Sequence, residues 1–205
     1  MRMIKTFEIF TQLKDPPKGT RSILFINGSR GWLKDDLSLN IYRRNQDSSN
    51  ILSQFGDHVI YGGVYWRAGE IIFDDMREII ENNNIVAIVG NSAGGYTSFY
   101  LSNKYKIPAM GINPAMCSTS EAPTLQPLPE DIKVAPLYPK QLVIIGDKDS
   151  KKVGGVDGEL TMKMLKEMRF EEKGGEILIV PAEHKITREQ FDNAFKHFYK
   201  KYVNV

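Results

Sequence analysis

The chain has 205 residues, 41% of them hydrophobic, with 27 Lys and Arg against 25 Asp and Glu for a formal net charge of +2. Disorder needs low hydrophobicity and a strong net charge, and a nucleic-acid binder carries a basic footprint; this composition excludes both classes. A single cysteine, Cys117, makes neither an internal disulfide nor a cysteine-built metal cage and suits a reducing compartment.

A chain of this length buries roughly 70% of its unfolded surface around one core, so one domain over residues 1–205 is expected. Charges interrupt the N-terminal run Met1-Arg2-Met3-Ile4-Lys5-Thr6-Phe7-Glu8, and the longest apolar runs are strand-sized, far short of the ~20 residues of a membrane helix. A cytoplasmic protein with no membrane partner is therefore expected, and the sequon Asn27-Gly28-Ser29 reads as a turn.

Residues 6–13 alternate in polarity and are assigned to an antiparallel edge strand. The run Ser22-Ile23-Leu24-Phe25-Ile26 is nearly all apolar and stops at Asn27-Gly28, a strand feeding a turn. Residues 28–56 are largely polar, with one helix expected around 49–55. A strand follows at 58–61, ending at Gly62-Gly63. Between Gly69 and Asn82, the residues Ile71, Ile72, Met76, Ile79 and Ile80 recur on one helical face. Residues 85–89 form a strand that ends at Gly90, and residues 93–105 read as a buried helix. A strand at 109–112 ends at the turn-marking pair Asn113-Pro114.

Six prolines between 114 and 139 exclude a long helix there, leaving residues 113–140 as a lid-like loop. Strands at 142–145 and 177–180 stop at Gly146 and Pro181. Leu160, Met164, Leu165 and Met168 mark the helix between them. Thr187-Arg188-Glu189-Gln190 matches a capping box, opening a last helix with Phe191, Ala194, Phe195 and Phe198 inward. Strands alternating with helices give an α/β fold with a mostly parallel central sheet in a three-layer αβα sandwich. The strands lack polar alternation, as expected where helices cover both faces.

The chemistry concentrates in Gly90-Asn91-Ser92-Ala93-Gly94-Gly95, a Gly-x-Ser-x-Gly placed directly after a strand and before a helix. A serine at so sharp a turn projects its hydroxyl clear of the sheet, and the helix start aims N–H groups at the same spot. A capped glycine-rich turn is the bland alternative. A phosphate loop is disfavoured because no Gly-Lys-Ser or Gly-Lys-Thr follows. A serine nucleophile needs a base. Among three histidines, His197 lies inside the last helix and His58 opens a strand at the wrong sheet edge. His184 follows a strand through Pro181-Ala182-Glu183 and shares the edge of Ser92. The imidazole needs a carboxylate, and Asp147 and Asp149 in Gly146-Asp147-Lys148-Asp149 both qualify by type. Asp149 is favoured because it lies further from the strand, where its side chain can turn back across the sheet edge. A calcium loop starting at Asp147 fails, since Lys152 and Gly158 stand where glycine and glutamate belong.

With nucleophile, acid and base after three different strands in the order Ser, Asp, His, the sequence resembles the α/β-hydrolase superfamily, in particular small bacterial esterase-like members with little or no cap domain. The resemblance runs from about residue 22 to 202 and rests on the Ser92 hexad, on Gly146-Asp147-Lys148-Asp149 and on His184. It implies a Ser92–His184–Asp149 triad, an oxyanion hole from the backbone N–H groups of Ala93 and Ser29, and no metal or organic cofactor. Members often carry His-Gly where this chain has Asn27-Gly28. The expected activity is serine hydrolysis of a small-molecule ester or thioester. A binding protein retaining the fold, and acyl transfer or peptidase chemistry on the same residues, are the alternatives. Trp32 and Met116 are candidate pocket-lining residues; substrate identity and oligomeric state are not encoded in any motif.

Overall fold

The aliphatic runs become parallel strands in the computed structural model of the chain, which describes residues 19–27, 51–63, 66–67, 70–71, 74–116, 138–149 and 158–204. Six strands pair in parallel: β1 (Arg21–Asn27), β2 (His58–Gly63), β5 (Asn84–Asn91), β6 (Ala109–Ile112), β7 (Gln141–Gly146) and β8 (Glu176–Val180). Their order is β2-β1-β5-β6-β7-β8. The chain runs outward from β1 to β2, then jumps back across β1 to β5 and proceeds the other way. The reversal opens a crevice at the carboxyl ends of β1 and β5, where ligands bind in open α/β sheets.

Alternation along each strand divides the core in two. Leu24 and Ile26 of β1 and Val143 and Ile145 of β7 point to one face. There they meet α1 (Asp74–Asn82) through Ile80, α2 (Ala93–Tyr105) through Tyr96, Phe99 and Leu101, and α3 (Gly158–Glu167) through Leu165. Ile23, Phe25, Leu142 and Ile144 point the other way, onto α4 (Arg188–Phe198) and the π-helix Tyr199–Val203. The expected capping box opens α4: the Thr187 hydroxyl accepts from the Gln190 amide at 3.2 Å, and the Gln190 side chain accepts from the Thr187 amide at 2.8 Å. At the amino edge of the sheet, the buried carboxylate of Asp57 accepts from the Arg21 guanidinium at 3.0 Å and the Tyr199 hydroxyl at 2.5 Å. That cluster ties the starts of β1 and β2 to the C-terminal segment.

Two expectations need correction, and several others need placement. Ile71 is not helical: it pairs with Trp66 in a two-stranded antiparallel ribbon of β3 (Trp66–Arg67) and β4 (Glu70–Ile71), and α1 begins only at Asp74. Over so short a run, β-branched residues satisfy either pattern. β8 is not covered on both faces: Ile179 is 61% exposed, and among the described residues the strand pairs only with β7. The expected strand at 6–13, and Ser29, Trp32 and Cys117, lie outside the described residues. Residues 51–55 do form a short helical turn, closed by Gly56.

Phe195 is fully buried on α4, with the rings of Phe55, Phe191, Phe198 and Tyr199 around it. Phe195→Ala is expected to cost about 3–5 kcal/mol of unfolding free energy, measured by urea denaturation.

Candidate active site

The turn from β5 into α2 places Ser92 at a backbone conformation of φ 55° and ψ −119°, which side chains rarely adopt. Neighbouring backbone over-determines that conformation. The Ser92 N–H donates to the Ile112 carbonyl at 2.9 Å, and the Ser92 carbonyl accepts from Tyr96 N–H at 3.1 Å and Ala115 N–H at 3.0 Å. The strand and helix pass so closely that a Cβ on Gly90 would lie 2.1 Å from the Gly94 carbonyl oxygen. Only glycine fits there. Ser92 itself is half-buried, and Ala93 follows it as the first residue of α2, where helix amides have no intrahelical acceptor.

Gly146 ends β7, and Asp147 and Asp149 part company in the turn that follows. Asp147 is exposed, and its carboxylate accepts from the Ala182 N–H at 3.2 Å, gripping the loop that leaves β8. Asp149 turns inward: its side chain is 1% exposed, and its Oδ2 lies 3.0 Å from Nδ1 of His184. The other oxygen, Oδ1, is buried and accepts no hydrogen bond among the described residues. A carboxylate only accepts, so Nδ1–H of His184 is the donor in this pair.

His184 reaches this position by travelling back over the sheet. The ends of β5 and β8 are three strand spacings apart, about 14 Å. The loop after β8 crosses the end of β7 closely enough that a Cβ on Gly146 would lie 2.4 Å from both the Ala182 and Glu183 carbonyl oxygens. It then reaches the end of β6, where the Asn113 side-chain amide donates to the His184 carbonyl at 2.8 Å. β6 is the strand next to β5, so His184 hangs one strand from the end that bears Ser92. The other histidines lie elsewhere. His58 starts β2 at the opposite edge, and His197 meets Glu176, the first residue of β8, at 2.9 Å.

Such a sheet, with a strained serine after the fifth strand, invites comparison with solved structures. A candidate dienelactone hydrolase from Klebsiella pneumoniae superposes with a TM-score of 0.65 at 15% identity, covering 94% of this chain and 90% of that one. The chain has the α/β-hydrolase fold. An esterase from Pyrococcus furiosus shares the α/β-hydrolase fold with a TM-score of 0.61 at 15% identity, covering 90% and 82% of the two chains. A metagenome-derived lipolytic enzyme gives 0.57 at 13% identity, covering 90% and 95%. The model of an uncharacterised protein family, UPF0227, matches residues 71–124, the stretch holding the Ser92 turn and β6. No curated protein matches the sequence. No group of three or more His, Cys, Asp or Glu side chains among the described residues is arranged to hold a metal ion, and no helix among them is long and apolar enough to cross a membrane.

Sequence reasoning passed over Asn113. Its one signal was the Asn-Pro pair, which marks a turn without telling what the asparagine side chain holds.

The strain at Ser92 is measurable without any substrate. Ser92→Gly is expected to be more stable than Ser92→Ala by about 1 kcal/mol in urea denaturation, since glycine adopts a positive φ freely and alanine inherits the strain.

Proposed function

We propose that the chain is a serine hydrolase that cleaves a small-molecule carboxylic ester or thioester through an acyl-enzyme on Ser92. The observation that carries this reading is the 3.0 Å pairing of a buried Asp149 with His184 at the sheet edge that also bears the strained Ser92 turn. In the first half-reaction, Ser92 Oγ attacks the acyl carbon and its proton passes to Nε2 of His184. Asp149 holds the Nδ1 proton and stabilises the imidazolium that results. The backbone N–H of Ala93, with that of Ser29 as second donor, receives the oxyanion. Collapse expels the alcohol or thiol, which takes the proton from Nε2. Water then repeats the sequence on the acyl-enzyme, releasing the acid and restoring Ser92.

Burial of Asp149 supports assigning it the electrostatic part. Few groups compete for its charge, so the carboxylate acts on the imidazole and not on solvent. Asp147 is engaged differently, holding the backbone of the loop that delivers His184. The hydrolase-named structural neighbours agree with this chemistry in kind, while their low identity leaves the substrate to experiment.

A fluorophosphonate probe is expected to label Ser92, and a panel of p-nitrophenyl esters of increasing chain length to be hydrolysed. Ser92→Ala abolishes both, and unchanged labelling in that variant would sink the assignment. Asp149→Asn lowers kcat by about 10⁴-fold, the effect of presenting the wrong imidazole tautomer. His197→Ala, at the opposite sheet edge, leaves the rate unchanged.

A further inference from the structure

Asn113 is 2% exposed and sits at φ 41°, a left-handed conformation that asparagine tolerates better than most side chains. Its N–H donates to the Ile144 carbonyl at 2.8 Å, continuing the β6–β7 ladder by one bond. Its side chain is then committed to two other loops. Oδ1 accepts from the Gly146 N–H at 2.7 Å, at the root of the turn that carries Asp149. Nδ2 donates to the His184 carbonyl at 2.8 Å and to the Glu183 carbonyl at 3.3 Å. These partners fix the amide's orientation, because Gly146 offers only a donor and the two carbonyls only acceptors.

The same stretch of chain grips the serine turn. Ile112, just before Asn113, accepts from Ser92 N–H, and Ala115, two residues on, donates to the Ser92 carbonyl. Residues 112–115 therefore touch all three loops: backbone contacts to Ser92, and one side chain to the acid turn and the base loop. Asp147 holds the base loop at Ala182, whereas Asn113 holds it at the residue that bears the imidazole. A short side chain with an acceptor and a two-hydrogen donor on one carbon meets this demand. Aspartate loses the donor, and glutamine is longer by a methylene.

We propose that Asn113 is a positioning residue for the hydrolytic reaction, setting the His184 imidazole in register with Asp149 and Ser92 through hydrogen bonds to the His184 and Gly146 backbone. The proposal rests on the Ser92–His184–Asp149 reading. It places Asn113 outside the bond-making atoms, so its loss alters alignment and not the supply of nucleophile, acid or base.

Two variants separate the side chain from the backbone. Asn113→Gly keeps the left-handed conformation and removes the amide. Asn113→Asp keeps Oδ1 and sets a second acceptor against the His184 and Glu183 carbonyls. In both, kcat for p-nitrophenyl acetate is expected to fall about 100-fold with KM nearly unchanged, the size of effect a small misalignment produces. Proton NMR supplies a readout independent of turnover. The low-field resonance of His184 Nδ1–H, assigned by its absence in His184→Gln, is expected to broaden or vanish in both variants while thermal unfolding stays cooperative. Native kcat and a native low-field signal in Asn113→Gly would overturn the proposal, whatever the melting temperature. If the native protein neither hydrolyses esters nor reacts with the fluorophosphonate, the hydrolase reading fails on its own. The low-field signal in Asn113→Gly then still decides whether Asn113 holds His184 against Asp149: loss upholds the positioning, persistence refutes it.

Discussion

A histidine that leaves the edge of a sheet has to be brought back over two strands before it can meet a serine near the centre. Everything in the candidate site depends on that return. The loop after β8 is drawn over β7 by the Asp147 carboxylate and by the absence of a side chain at Gly146, then stopped at β6 by Asn113. The two side-chain contacts act on main-chain groups of that loop, so its path is set through its backbone and the ring hangs where the backbone is held.

The serine turn presents the complementary problem. Its backbone is held where serine is uncomfortable, and the restraint comes from the adjoining strand end and not from the helix alone. Strain that survives because its surroundings over-determine it is typical of groups whose direction matters more than their stability. Parallel pairing supplies the common reference. Because β5, β6, β7 and β8 all run the same way, their four exits lie side by side, and chemistry from distant parts of the chain assembles along one rim.

Much of this could be read from residues alone. The apolar runs marked all six strands of the main sheet, most strongly the central ones buried on both faces, and the Ser92 hexad advertised its own turn. What escaped was of two kinds. The ribbon of Trp66 and Ile71 is too short for periodicity to tell from the start of a helix. Asn113 escaped for a different reason: its importance lies in four partners 31 to 71 residues away, and no local pattern encodes them. The choice between Asp147 and Asp149 was open for a similar cause, because spacing along the chain does not tell which carboxylate faces inward and which grips a passing loop. Fold neighbours at 13–15% identity make the same point, since sheet order outlasts most of the side chains that fill it.

β8 contributes the base loop, yet among the described residues it pairs only with β7, and every residue in it is at least partly exposed. Such a strand exchanges its amide hydrogens through local opening well before the fully buried β6 and β7 give way. The two halves of the site therefore belong to regions of different durability. Under mild denaturant the loop bearing His184 is expected to loosen while the Ser92 turn still stands, so the candidate site would come apart before the fold does.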